Sequence, residues 1–260
     1  MIISHSRKFV FIHIHKTAGE SVSEALLPFL GRGDVLLGTT FRGEIANAWY
    51  VRRHGLQKHS GVRRVRPFLG DAWGDYLSFS FVRDPFDRLR SLYFYFERML
   101  DRRREKSLRN ALLWIPGTDF RDPLKWPGMQ AFLETDDFSG FLRHPAFSTN
   151  IMGARPQSSL LTDKAGNLAV DMVGKFETIG EDFAGIAARI GLEGAALGHR
   201  NASRNRDTRP DPAEAADRAL VAELYASDYA LFGYPLPPAV SPGVSPGVSA
   251  GASPAAATAG

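Results

Sequence analysis

An α/β fold, with a central parallel sheet covered by helices in three layers, is what this 260-residue sequence predicts. Two stretches carry the prediction. In each, a short apolar run, dense enough for a strand buried on both faces, passes through a polar turn directly into a helical pattern. The first is residues 8–24, KFVFIHIHKTAGESVSE, and the second is residues 76–98, YLSFSFVRDPFDRLRSLYFYFER. The third observation is size: 260 residues at 44% hydrophobic content are enough for one sizeable α/β core.

The first strand is Phe9, Val10, Phe11, Ile12 and Ile14. Lys16-Thr17-Ala18-Gly19 then turns the chain, and Glu20, Ser21 and Ser23 fall in the first turns of a helix carried by Val22, Ala25, Leu26 and Leu27. The unpaired N–H groups and positive end of such a helix face back toward the strand, where an oxyanion meets donors without rearrangement. A phosphate or sulfate ligand is expected there. The turn is not a Walker A loop, whose glycines precede the lysine; here the lysine comes first. That argues against an ordinary ATPase or GTPase and for a cradle holding another phosphorylated adenylate.

Asp34 to Leu37 reads as a second strand, residues 43–53 as a helix, and residues 61–69 as another short helix. Leu77, Phe79, Phe81 and Val82 make a buried strand; Asp84 suits a helix cap and Pro85 the first helical position, and this helix runs to about residue 104. Arg83 thus stands at a strand's carboxyl edge, with Ser91 two turns into the helix. Ligands of doubly wound sheets bind outside the carboxyl ends of strands, so this corner is expected to face the same crevice as the Lys16 turn. Arg83 offers a planar fork for a phosphate, and Ser91 a hydroxyl.

Residues 115–163 are rich in Pro, Gly, Asp and Phe and show no sustained period. A long irregular region in a compact domain is usually functional, so these residues read as functional loops and a lid. Residues 170–176 make a further strand and 181–192 a helix. Asp211-Pro212 opens a C-terminal helix carrying Leu220, Leu224 and Leu231. Residues 1–235 read as one catalytic domain. Residues 236–260, with their VSPG repeat, form a Pro/Ala/Ser/Gly-rich tail that cannot bury a core and is expected to be disordered.

There are no cysteines, which excludes a disulfide framework and any thiolate metal or nucleophile site. No apolar run approaches the roughly 18 residues of a membrane helix, and Met1-Ile2-Ile3-Ser4-His5 leads into a strand rather than forming a signal peptide; a cytoplasmic protein is expected. The net charge of +4 is unevenly spread. Basic stretches occur at Arg52 to Arg66, at Arg102 to Arg109, where Asp101 and Glu105 interleave, and at Arg200 to Arg209. Nucleic acid is not the expected partner: the chain has no zinc-ligand spacing and no RNP-like aromatic motif, and its aromatics at 93–96 follow a helical pattern.

The two corners together resemble the sulfotransferase superfamily, in the branch of carbohydrate and heparan 2-O-type enzymes (sulfotransferase family 2). The resemblance implies a P-loop-NTPase-like sulfotransferase fold and 3′-phosphoadenosine 5′-phosphosulfate (PAPS) as donor. The family's KTAGTS-like loop matches Lys16, Thr17, Ala18, Gly19, Glu20 and Ser21 and implies that they hold the 5′-phosphosulfate. Its FVRDPxxRLxSxY-like segment implies that Arg83, with Ser91 eight residues on, binds the 3′-phosphate. VGKFETIGEDF at 173–183 and DYALFGY at 228–234 look like later parts of the same branch. Family members often close over the nucleotide with a polar, basic loop like HRNASRNRDTRP, which makes Arg204 a further donor-binding candidate. Two departures stand out. Glu20 replaces the usual Thr or Ser and sets a carboxylate near a dianion, and His13 stands where some relatives use Arg.

Sulfuryl transfer needs a held donor, stabilisation of the bridging oxygen as the nucleotide leaves, and removal of the acceptor's proton; in principle it requires no metal. Lys16 is the candidate for the leaving 5′-phosphate. The candidate bases are His59, His15, His13 and Glu20, and histidine suits a base near neutrality. The 2-O-type relatives carry a histidine at a distance ahead of the 3′-phosphate arginine comparable to that of His59 from Arg83. His15, beside Lys16, is the second candidate. The expected acceptor is a hydroxyl of a carbohydrate or glycoconjugate. The rival readings are a P-loop-like nucleotide kinase, for which the kinase signature set is missing, and a non-catalytic nucleotide or polyanion-binding module.

Overall fold

A computed structural model of the chain describes residues 1–104, 123–151, 153–198 and 213–238. Its sheet has five strands, β1 (Ile2–Ser4), β2 (Phe9–Ile12), β3 (Val35–Leu36), β4 (Leu77–Val82) and β5 (Met172–Lys175), in the order β3-β1-β2-β4-β5. β2 pairs parallel with β4 and β4 with β5, whereas β1 is antiparallel to both of its neighbours. Four strands therefore run one way and β1 runs against them. By sequence alone, residues 1–5 read only as the approach to a strand. They form one themselves, because Ile2 and Ile3 each bury a side chain on opposite faces of the sheet.

That alternation builds the layers. Ile2, Phe9, Phe11, Phe79 and Phe81 face α1 (Gly19–Leu26) and, further along the chain, a helix at Ile179–Arg189, through Val22, Leu26, Phe183 and Ile186. Ile3, Val10, Ile12 and Val82 face the other way. There they meet α2 (Phe41–His54) and α3 (Val62–Leu69), α4 (Pro85–Arg104), α5 (Pro127–Leu133), α6 (Phe138–Arg143) and α7 (Gln157–Leu161). The Ile179–Arg189 helix is α8, and α9 (Glu214–Leu224) and α10 (Ala226–Phe232) complete the second layer. Every residue of β2 is buried, as its unbroken apolar run requires.

Two expectations change in detail. The single C-terminal helix is two, α9 and α10, joined at Tyr225; the Asp211-Pro212 start lies outside the described residues. Within 123–151 and 153–163 short helices alternate with turns, and α5, α6 and α7 are five to seven residues long, too short to display a period. Met129, Phe138, Phe141, Leu142 and Leu161 from these segments enter the core beside α4. The 200–209 loop, the tail beyond residue 238, and Lys106 and Arg109 of the second basic stretch lie outside the described residues. No described helix is long and apolar enough to cross a membrane.

Candidate active site

β2 and β4 are parallel neighbours, with Ile12 opposite Ser80, so both strands deliver their turns to one edge of the sheet. From that edge α1 departs to one face and α4 to the other. A crevice opens between adjacent strands whose following helices diverge in this way.

The first turn is shaped for an anion. Lys16 and Ala18 both have left-handed backbones, with φ of 66° and 60°. Such residues curl successive N–H groups into a concavity. No side chain caps α1, whose N-cap is Ala18, so the first-turn N–H groups stay available to a ligand. Thr17 is buried, and its hydroxyl donates to Ile14 O at 3.2 Å, which holds the turn closed. Gly19 lies on the ring of His13: a Cβ there would sit 2.0 Å from His13 Cδ2. His13, 3% exposed, is the floor of the turn, stacked on Phe11 with ring centroids 5.7 Å apart.

Lys16 reaches across the crevice. Its Nζ lies 4.5 Å from the centre of the Tyr95 ring on α4. Ser91 stands one turn before Tyr95, on the same helix face. Burial, reinforced by Arg98 and Arg83 and opposed by Glu20, pushes the Lys16 ammonium down to about 8. The field of Arg83 at Lys16 ties the two corners together electrostatically.

Arg83 is gripped through its backbone. Its N–H donates to Gln157 Oε1 at 2.9 Å, and its carbonyl accepts from Gln157 Nε2 at 2.8 Å. The guanidinium carbon lies 4.2 Å from the centre of the Phe176 ring. Asp84 caps α4 by accepting from Asp87 N at 3.0 Å. Arg88, one turn into α4, is almost fully buried and donates to the carbonyls of Gly153 and Arg155 at 2.8 and 2.9 Å, fixing the approach to α7.

Three imidazoles line the other wall. His59 stacks on His15 with ring centroids 3.4 Å apart and meets His13 edge-on at 4.7 Å. His59 Nδ1 lies 2.8 Å from His13 O. A carbonyl only accepts, so Nδ1 carries the proton and Nε2 keeps its lone pair. Burial, with His15 adding to it and the His13 carbonyl opposing, holds His59 well below the usual imidazole range. Burial and then Arg88 push His15 down to about 3. Both shifts favour the neutral imidazole near pH 7. The turn before α3 is fixed by Lys58 N donating to Asn47 Oδ1 at 2.7 Å, and by Gly61, where a Cβ would lie 2.7 Å from Leu160 O.

Glu20 forms an ion pair with Lys58, next to His59. Its carboxylate charge is thus matched on the His59 side of the turn, and Glu20 joins α1 to the segment that carries the histidine. Ser21 is half-buried in the first turn of α1. Arg204 lies outside the described residues. Sequence reasoning missed Gln157, Lys58 and Arg88. Gln157 sat in the stretch without periodicity and carried no signal, whereas Arg88 is part of the RDPFDRLRS run. Among the described residues, no group of three or more His, Asp or Glu side chains is placed to hold a metal ion.

The family model described as the sulfotransferase family matches residues 1–235. The chain belongs to the sulfotransferase family. No curated protein and no solved structure matches it. The match spans both corners and the later 173–183 and 228–234 segments. This sulfotransferase is a transferase of the EC 2.8.2 type, moving a sulfuryl group to an acceptor hydroxyl, and the family implies PAPS as its donor.

Proposed function

We propose that this sulfotransferase moves the sulfuryl group of PAPS to a hydroxyl of a carbohydrate or glycoconjugate, by in-line transfer across the crevice between β2 and β4. One observation carries the reading: the Lys16 turn and the Arg83–Ser91 corner open on the same sheet edge, as a donor with phosphates at both ends requires. The Lys16 turn takes the 5′-phosphosulfate through the N–H groups of residues 16–21, and Arg83 with Ser91 takes the 3′-phosphate. His13 supports Gly19 from below, and Thr17 stiffens the turn.

In the reaction, an acceptor oxygen forms a bond to sulfur while the bond from sulfur to the bridging oxygen breaks. The bonding pair leaves with the bridging oxygen on the 5′-phosphate, and the Lys16 ammonium and turn N–H groups stabilise the charge that develops there. His59 Nε2 takes the hydroxyl proton. The neutral, Nδ1-anchored form of His59 supports this role, because the base must accept at Nε2. His15, stacked against His59, keeps the ring in place. Residues 115–163 are the acceptor-side candidates, and the glycan class is the least constrained part of the reading.

Calorimetry with adenosine 3′,5′-bisphosphate tests the donor site. Binding that Lys16→Ala and Arg83→Ala both weaken is expected; binding that neither changes removes the proposal. A transfer screen with sulfur-labelled PAPS over glycans, glycolipids and simple alcohols then tests the acceptor class.

A further inference from the structure

We infer that the segments around Phe176 and Asp228 form a socket that aims Arg83, and that this socket sets the enzyme's selectivity for a 3′-phosphorylated nucleotide. The inference rests on the proposed role of Arg83. It assigns a task to the 173–183 and 228–234 segments and to Gln157, none of which the reaction itself uses.

The socket closes around Arg83 and Asp84 from both sides. On one side Gln157, fully buried, spends its amide on both backbone polar groups of Arg83, at 2.9 and 2.8 Å. Gln157 Nε2 also donates to Asp228 Oδ2 at 3.2 Å. Asp228, likewise fully buried, accepts from the backbone N–H groups of Gln157 and Ser158, each at 2.8 Å. A carboxylate at the start of α7 thereby fixes the residue that fixes Arg83. On the other side Glu177 accepts from Asp84 N at 2.8 Å and from the Tyr234 hydroxyl at 3.0 Å. Between them Phe176 lies under the guanidinium, 4.2 Å from ring centre to carbon.

These contacts hold one arginine in place. An arginine has several rotatable bonds, and its value to a phosphate depends on presenting the fork without paying to order it. Backbone anchors define where the side chain starts, and the aromatic platform limits where it goes. Gln157, Phe176, Glu177, Asp228 and Tyr234 are positioning residues and touch no reacting atom.

The experiment compares the affinities of the whole protein for adenosine 3′,5′-bisphosphate and for 5′-AMP, alongside thermal melting. Wild type should prefer the bisphosphate, and Arg83→Ala should abolish the preference; if either fails, the proposed role of Arg83 falls with the inference. Given both, Phe176→Leu and Gln157→Leu should cut the preference about tenfold or more, since a charge-assisted contact is at stake. 5′-AMP affinity should stay unchanged. Glu177→Ala, at an exposed position, and Tyr234→Phe give milder changes that keep the fold, each expected to reduce the preference about threefold, a fraction of one hydrogen bond's worth. Variants that melt earlier yet keep the wild-type preference would reduce the socket to a structural brace and overturn the inference, leaving the role of Arg83 intact.

Discussion

Gly19→Ala should destabilise the protein, and His13→Ala should reverse the sign of that effect. Gly19 has no positive φ, so alanine meets no backbone strain there, and on helix propensity alone it would be favoured by up to about 1 kcal/mol. The clash is with the imidazole beneath: the added Cβ would lie 2.0, 2.1 and 2.8 Å from His13 Cδ2, Nε2 and Cγ. Carbon contacts settle near 3.5–4.0 Å, so one partner must move by more than about 1 Å. The His13 ring has no exit, being 3% exposed and held between Phe11 and His59. Overpacking of this kind costs about 3 kcal/mol, which lowers the melting temperature by roughly 6–12 °C for a domain of this size. Displacing the start of α1 should also weaken adenosine 3′,5′-bisphosphate about tenfold, equivalent to roughly 1.4 kcal/mol. Once His13→Ala removes the ring, Gly19→Ala should become neutral or stabilising, giving a coupling of about 2 kcal/mol or more in a double-mutant cycle read by denaturant unfolding. Additive effects would refute the argument that Gly19 is glycine because of His13.

Lys16→Ala should lower the transfer rate by roughly a hundredfold to a thousandfold, as loss of one preorganised charge-stabilising group does, measured with saturating labelled PAPS. His59→Ala should cost about a hundredfold or more in kcat while leaving bisphosphate affinity within about twofold, because a general base acts on the acceptor. Since the His59 pKa is held well below 6.5, the rate should stay flat as pH falls through 6.5, and an inflection there would assign the base elsewhere. On the alkaline side the empty-site Lys16 loses its proton near pH 8, so bisphosphate affinity should fall above that pH, by at most about tenfold per unit, and Lys16→Ala should flatten the decline. Away from the site, burial works to raise the Asp34 carboxyl, but hydrogen bonds from Ser6, Ser4 and Gly31 bring it down to about 2. A depressed carboxylate stabilises above its unfolded value of 3.8 and loses that contribution as pH falls toward 2, so Asp34→Asn should remove about 1 kcal/mol at pH 7, after allowing for solvent screening, and almost none near pH 2.

What the sequence made legible was whatever local chemistry dictates. The apolar run of Phe9 to Ile12, the lysine ahead of the glycine, and Arg83 between Val82 and Asp84 each announce a strand ending in a turn, and the structure sets both turns at one sheet edge. β1 was not legible, because a three-residue strand has too little pattern to separate from a lead-in, and its direction follows only from pairing with Phe9 to Phe11. The short helices α5 to α7 were hidden for the same reason. Gln157 was hidden more deeply: nothing near it in sequence marks it, and its purpose comes from contacts 74 residues away at Arg83 and 71 away at Asp228.

Glu20 shows how a residue that looks adverse in one dimension becomes consistent in three. In sequence it is a carboxylate at the mouth of an anion cradle, where it should repel the donor. In the fold it pairs with Lys58, the residue before His59. The pair is partly exposed and so adds little stability by itself. Its consequence is geometric: it joins the start of α1, the proposed donor cradle, to the turn that carries the candidate base. Glu20→Thr, which restores the family's usual hydroxyl, should therefore tighten bisphosphate binding by removing a negative charge while lowering kcat by loosening the His59 turn. A paired gain in affinity and loss in turnover is what a positioning role predicts, and a gain in both would mean that Glu20 does nothing but repel the donor.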